Sequence, residues 1–180
     1  IEFHNSENIP KNLDTGLLIT PNHQTYIDPF WVCIPIKKDL RLMAWDEAFG
    51  WFFIGRFISL LGAFPVSLKR GGSIKALKES LKVLRDGKAL LIFPEGEREF
   101  ADGKLLPFKT GAVRIALEAN VPILPVTIRG GNKIWSRDHK FPRFGKVEIF
   151  YHPIIRFSKD QPIEQVNSHL EEIVKSPNIF

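Results

Sequence analysis

Ser73-Ile-Lys-Ala-Leu-Lys-Glu-Ser-Leu-Lys-Val-Leu-Arg85, followed by Asp86-Gly-Lys-Ala-Leu-Leu-Ile-Phe93, is the stretch from which the fold is read. Ile74, Leu77, Leu81 and Leu84 recur at helical spacing, Lys75, Lys78, Lys82 and Arg85 cover the other faces, and Ser73 stands where an N-cap belongs. Asp86-Gly87 stops the helix, and the apolar run Ala89 to Phe93 has the pattern of a strand buried on both faces. The same alternation extends in both directions. Gly16-Leu-Leu-Ile-Thr20, ended by Pro21, predicts a buried strand, and Asp28 to Ile36 a short helix with Asp28 as N-cap and Pro29 at its first position. Leu40 to Ala44 and Gly62 to Leu68 are further strands, Pro65 marking the second as an edge or an irregularity. Downstream come a helix over Thr110 to Ala119, strands over Val121 to Ile128 and Lys146 to Tyr151, and a closing helix over Pro162 to Lys175. Strands alternating with helices predict an α/β fold, a mostly parallel central sheet flanked by helices, with functional groups at the carboxyl ends of the strands.

No internal repeat, low-complexity tract or linker interrupts the 180 residues, so a single domain, residues 1–180, is expected. The 25 Lys and Arg against 20 Asp and Glu leave a net charge of +5 and a pI near 9.4. That excess suits an anionic partner, phosphate, lipid or nucleic acid alike. A lone cysteine, Cys33, excludes an internal disulfide and fits a reducing compartment. Phe and Trp crowd the segment Trp45 to Phe57, yet the apolar run from Ala48 to Leu68 is broken by Arg56 and by Gly and Pro. A spanning helix needs roughly 20 apolar residues with few or no charges. Ile1 to Pro10 lacks the basic start and apolar run of a signal peptide. The chain opens at Ile1 rather than Met, the opening expected of a chain trimmed of an upstream anchor.

Two polar clusters follow buried strands directly. In Asn22-His23-Gln-Thr-Tyr-Ile-Asp28, a His with an unperturbed pKa of about 6.5 is suited to taking a hydroxyl proton at neutral pH, and a carboxylate on its other nitrogen fixes the tautomer. A five-residue offset does not align two side chains on a straight helix, so the pair requires His23 in the turn and Asp28 at the helix start. A solvated loop His followed by an ordinary helix cap explains the same residues equally well. In Phe93-Pro-Glu-Gly-Glu-Arg-Glu99, Gly96 allows close backbone approach, Glu95 offers acceptors and Arg98 is able to clamp a phosphate; a plain polar turn is the simpler account. Between them Lys69-Arg70-Gly-Gly-Ser73 runs basic residues into a helix start, either an anion site or a solvated turn.

Taken together, these clusters resemble the motifs of the glycerolipid acyltransferase family, whose best-known members are 1-acylglycerol-3-phosphate acyltransferases. His23 and Asp28 match its His-four-residues-Asp motif, Arg70 after Gly62-Ala-Phe-Pro-Val66 its second, Phe93-Pro-Glu-Gly-Glu-Arg98 its third and Val121-Pro-Ile-Leu-Pro125 its fourth. Pro107-Phe-Lys-Thr-Gly-Ala112 is similar to a further Pro-Phe-Lys-x-Gly stretch. The resemblance covers a motif-bearing core at 17–153, with a C-terminal helix at about 162–175 beyond it. It departs at Glu97 and Glu99, where the family usually carries Thr and Ser, so negative charge flanks the phosphate site that the resemblance implies.

The resemblance implies an O-acyltransferase moving a fatty acyl group from a thioester of coenzyme A or acyl-carrier protein to the hydroxyl of lysophosphatidate. It implies His23 as general base, Asp28 as its orienting carboxylate, and Arg70, Glu95, Gly96 and Arg98 at the acceptor and its phosphate. Asn22, Lys69 and Lys109 stand in support. No cofactor and no metal are implied, because a thiol is a good leaving group. Trp45, Phe49, Trp51, Phe52, Phe53 and Phe57 with Arg56 form either an interfacial helical segment or a buried helix. The protein is expected at a membrane surface, peripherally or through an upstream anchor, on the cytoplasmic face. Other acceptors remain within this reading: another lysophospholipid, glycerol 3-phosphate or an amino lipid. Two readings come from other classes. A metal-dependent hydrolase is disfavoured by the single His near the motifs, and a non-catalytic lipid-binding module by the intact His23, Asp28 and Glu95. Nucleic-acid binding lacks any recognisable motif.

Overall fold

Leu17–Pro21 forms the strand around which the molecule is built, and all five of its residues are buried. The computed structural model describes residues 1–45, 50, 55–56, 62–66, 72–97, 103–135, 141–158 and 160–176. Among these, seven strands form one sheet: β1 (Glu2–His4), β2 (Leu17–Pro21), β3 (Leu40–Trp45), β4 (Phe64–Val66), β5 (Ala89–Leu91), β6 (Ile123–Arg129) and β7 (Glu148–Tyr151), in the order β1-β7-β6-β2-β5-β3-β4. β2 lies between β5 and β6 and runs parallel to both, with Leu18 opposite Leu90 on one side and Ile123 on the other. β3 and β4 continue the parallel set, whereas β7 is antiparallel to β6 and β1 follows β7 in parallel. Complete helices among the described residues are α1 (Asp28–Cys33), α2 (Gly72–Arg85), α3 (Gly111–Ala119), α4 (Gly131–Trp135) and α5 (Ile163–Lys175).

The sheet is buried on both faces, which is why its central strands read as continuous apolar runs. Leu18, Leu90, Ile92 and Ile123 point to the face covered by α2, α3 and α5, where Val83, Leu84, Val113, Ala116, Val166 and Leu170 complete the core. Leu17, Ile19, Ala89, Leu91, Leu124 and Val126 point to the other face, against Val32 of α1 and Ile134 of α4. A slip of one residue in β2 would exchange the two sets, so the register is strongly specified. Gly16, just before β2, lies against the backbone of Leu84 at the end of α2, and a Cβ there would overlap the Leu84 carbonyl. That contact seats α2 on the strand it precedes.

The expected α/β order is observed, with three kinds of difference. β1, the 3-10 turn Ser6–Asn8 and α4 carry too few apolar residues to signal themselves. Within α2 the buried stripe runs through Ala76, Ser80, Leu81, Val83 and Leu84, while Ile74 is 61% exposed; Ser73 falls inside the helix rather than capping it. The stripe turns toward α3, β4 and β5, the neighbours α2 packs against, and Ser80 tolerates burial by donating its hydroxyl to the Ala76 carbonyl at 2.7 Å. Asp28 is not the N-cap of α1: Ile27 occupies that position and Asp28 is the first helical residue, its carboxylate directed to the preceding loop. Pro65 does lie in β4, the last strand of the order. Most of the aromatic segment (Phe49, Trp51, Phe52, Phe53 and Phe57), with Lys69, Arg70, Arg98 and Glu99, lies outside the described residues.

Candidate active site

At the carboxyl end of β2 the chain leaves the sheet as Asn22, His23, Gln24 and Thr25, and each polar side chain has a defined anchor. Asn22 reaches across to β6, where its amide donates to the Ile128 carbonyl at 3.0 Å and its oxygen accepts the Ile128 N–H at 2.6 Å. It thereby extends the β2–β6 pairing beyond the last backbone ladder bond. Gln24 accepts the Gly131 N–H at 2.9 Å and ties the loop to the start of α4. Both residues are 5% exposed; the Asn22 amide is paired through both its nitrogen and its oxygen, and the Gln24 amide through its oxygen.

These anchors present His23 to Asp28. The imidazole Nδ1 lies 3.0 Å from Asp28 Oδ2, with His23 17% exposed and Asp28 wholly buried. The same Oδ2 accepts the backbone N–H of Gln24 at 2.5 Å and of Thr25 at 2.7 Å, and Oδ1 accepts the Thr25 hydroxyl at 2.6 Å. The Thr25 oxygen in turn accepts the Ile27 N–H at 3.1 Å. An ionised carboxylate only accepts, so the proton between the pair belongs to Nδ1 of His23, and Nε2 carries the basic lone pair. The five-residue offset works because the loop folds back over the first residue of α1. Phe93, two residues beyond β5, stacks on the imidazole with ring centroids 3.8 Å apart and planes at 18°. Hydrogen bond and stack together fix both the tautomer and the ring plane.

Glu95 joins the second cluster to the first. Its Oε1 accepts the His23 N–H at 2.6 Å and its Oε2 the Leu106 N–H at 2.7 Å, and it is 2% exposed. It thus braces the His23 turn against the loop leading to Lys109, whose own N–H donates to the Pro94 carbonyl at 2.8 Å. Gly96 has φ +74°, the left-handed region open to glycine, and Lys109 crosses it so closely that a Cβ would come within 2.7 Å of Nζ. The structure therefore brings Asn22, His23, Asp28, Glu95, Gly96 and Lys109 to one edge of the sheet. Gln24, Thr25 and Phe93 belong to the same constellation and were not expected from the sequence; Thr25 alone carried a local signal, as a hydroxyl able to turn back onto nearby backbone.

Other reactive groups lie elsewhere. Burial pushes the Cys33 thiol up to about 12, so it stays protonated at neutral pH. Among the described residues, the grouping of His and carboxylates close enough to hold a cation is Glu2, His4 and Glu148, across β1 and β7. Lys146 Nζ sits 2.8 Å from Glu2 and 3.2 Å from Glu148, so an ammonium already balances those carboxylates. No helix among the described residues is long and apolar enough to cross a membrane.

The sequence and the fold have counterparts among known proteins. A family model described as acyltransferase matches residues 1–129. A chloroplastic 1-acyl-sn-glycerol-3-phosphate acyltransferase, BAT2, of Brassica napus is 30% identical over 155 residues, which are 85% of this chain and 44% of that protein. The 1-acyl-sn-glycerol-3-phosphate acyltransferase of Bacillus subtilis (strain 168) is 30% identical over 172 residues, covering 94% of this chain and 77% of its own length. That of Streptococcus pneumoniae (strain ATCC BAA-255 / R6) is 35% identical over 175 residues, 94% of this chain and 62% of the relative. The crystal structure of the 1-acyl-sn-glycerophosphate acyltransferase PlsC from Thermotoga maritima superposes with a TM-score of 0.78 at 29% identity, over 97% of this chain and 68% of that one. The chain thus spans less than half the length of the plant relative and from 62% to 77% of the bacterial ones. With the family model matching well over half of the residues and the fold shared over almost the whole chain, this chain belongs to the acyltransferase family.

Proposed function

We propose that this protein transfers a fatty acyl group from an acyl thioester to the free hydroxyl of 1-acylglycerol 3-phosphate, forming phosphatidate. The observation that carries the reading is the His23–Asp28 pair: Nδ1 held at 3.0 Å by a wholly buried carboxylate with three further hydrogen bonds. Nε2 of His23 removes the hydroxyl proton as the oxygen attacks the thioester carbonyl. Asp28 keeps the tautomer and stabilises the imidazolium that forms. Collapse of the tetrahedral adduct breaks the carbon–sulfur bond, and the imidazolium returns its proton to the departing thiolate. No covalent acyl-enzyme is needed, because the substrate hydroxyl is itself the nucleophile.

The acceptor is the part supported by the relatives' names and by the matching motifs. On this reading Arg70 and Arg98 hold the acceptor's phosphate, Lys109 across Gly96 supports them, and the gain in rate is positional. Contact with the bilayer is supported by Phe141 and Phe144, 70% and 109% exposed beside Arg143, a cationic residue suited to an anionic lipid surface.

The test is acyl transfer by the purified chain to a panel of lysolipids, with coenzyme A and carrier-protein thioesters compared. Lysophosphatidate is expected to be the preferred acceptor, and His23→Ala to lose at least about 10²-fold in kcat while melting as the wild type does. Turnover at the wild-type rate in that variant would sink the base assignment. Arg70→Ala is expected to raise the acceptor KM far more than the donor KM; the reverse would move Arg70 to the donor.

A further inference from the structure

Beside the His23 turn, at the same carboxyl edge of the sheet, lies a cleft of about 520 Å³ that the proposed mechanism does not use. Its walls are the end of β6, the start of α4, the loop at Gly103 to Leu105 and the last turn of α5. Among the described residues the lining holds four cations, Lys104, Arg129, Lys133 and Lys175, and no Asp or Glu, in a chain with 20 acidic residues. Lys175 is partnered by Glu171 at 2.6 Å. Arg129 and Lys133 are both exposed and belong to no ion pair among the described residues, the Arg129 guanidinium lying 5.3 Å from the centre of the Phe150 ring. Low-dielectric walls lined by one sign of charge concentrate potential and favour an anion. The volume falls within the range of small-molecule sites, roughly 300–1,000 Å³, and a concave cleft suits a small anionic head better than the flat patch a folded partner protein needs.

We propose that this cleft is a phosphate site, and that the phosphates it takes are those of the nucleotide end of a coenzyme A-type donor. The assignment rests on the acyl-transfer reading of His23. Two sources of phosphate exist in that reaction, and their covalent geometry separates them. In the acceptor, phosphate and reacting hydroxyl share one glycerol unit, so its phosphate must bind close to Nε2. In the donor, the phosphates lie at the far end of a long pantetheine arm from the thioester. His23 does not line the cleft, whereas its chain neighbours Asn22 and Gln24 do. Those two side chains are fastened to Ile128 and to Gly131, which ties the cleft wall to the His23 turn. Because His23 itself is outside the lining, the cleft suits phosphates that share no glycerol unit with the reacting hydroxyl, as the donor's do.

The experiment titrates the whole chain with adenosine 3′,5′-bisphosphate, the nucleotide end without its thioester, by calorimetry, and in parallel measures both KM values. Arg129→Gln with Lys133→Gln is the test variant, and Lys11→Gln, exposed, outside the cleft lining and before the amino end of β2, is the control. The wild type is expected to bind the nucleotide, less tightly as salt rises, and the double variant about tenfold more weakly, with the KM for acyl-coenzyme A up by a similar factor and the acceptor KM unchanged. Equal affinity in wild type and double variant overturns the proposal, as does a rise confined to the acceptor KM. Transfer that proceeds from carrier-protein thioesters alone, with no nucleotide binding, overturns it too. His23→Ala is expected to keep nucleotide binding while losing transfer. Nucleotide binding that the double variant weakens, in a wild type that transfers no acyl group, upholds the cleft and removes the acyl-transfer reading instead.

Discussion

Asp28 concentrates four hydrogen bonds on one buried carboxylate: the Nδ1–H of His23, two backbone amides and the Thr25 hydroxyl. Charge-assisted bonds of this kind are stronger than neutral ones, and a buried partner left unmade costs about 1–3 kcal/mol. Asp28→Asn keeps the shape but removes the charge: its NH2 faces the imidazole and two amide N–H groups if it takes the Oδ2 position, or the Thr25 hydroxyl if it takes the Oδ1 position, and either way the imidazolium loses its counter-charge. It is expected to lower kcat by about 10²–10⁴-fold and to lower the melting temperature, read by steady-state kinetics and calorimetry. Glu95 invites the complementary change. Both its oxygens accept backbone N–H groups, from His23 and Leu106, so Glu95→Gln leaves one amide facing a donor. A stability loss of about 1–3 kcal/mol is expected in urea unfolding, with a fall in kcat because the His23 turn loses its brace. Wild-type stability in that variant would show the brace to be dispensable.

At the scale of elements, α5 is latched to the rest of the protein by polar contacts as well as by Val166, Leu170 and Val174. Asn167 donates to the Phe108 carbonyl at 2.8 Å, and Glu171 accepts the Phe108 N–H at 2.9 Å, so the helix grips the loop that carries Lys109. Its last turn is held by Thr127, whose hydroxyl donates to the Val174 carbonyl at 2.9 Å. That donation leaves the Thr127 oxygen as acceptor, so the contact at 2.8 Å from His152 Nε2 is an N–H donated by the imidazole. Burial holds the His152 pKa below its ordinary value. The unfolded chain therefore binds a proton that the folded one refuses, and stability falls as pH drops below about 6.5 toward the folded value. Thermal melts at pH 7.5 and pH 5.5 are expected to show this loss, and His152→Gln to flatten that part of the profile. An unchanged slope in the variant would assign the acid sensitivity to other groups.

For the whole molecule, the membrane prediction sits on Phe141 and Phe144 beside Arg143. Phe141→Ser with Phe144→Ser is expected to reduce co-sedimentation with anionic vesicles several-fold, while a water-soluble short-chain acceptor is turned over as before; unchanged vesicle binding would place the contact elsewhere. What the sequence determined by itself was whatever depends on neighbours along the chain. The apolar runs at Leu17 to Ile19, Ala89 to Leu91 and Ile123 to Ile128 announced strands buried on both faces, because period and continuity are local properties. The ordered motifs named the family and placed His23, Asp28, Glu95 and Gly96 among the candidate residues. The tertiary structure decided whatever joins residues far apart in number. The carboxylate of Glu95 reaches the amide of His23 across 72 positions, and Asn22 reaches Ile128 across 106. β1, three residues long and mostly polar, is a strand only because β7 lies beside it. Asp28 turned from helix cap to imidazole partner for the same reason: the fold-back of the 22–25 loop, held by β6 and α4, puts its amides and the His23 ring over the carboxylate. A hydrogen bond needs its partner within about 3 Å; spacing along the chain supplied the groups, and packing of the sheet supplied the distances.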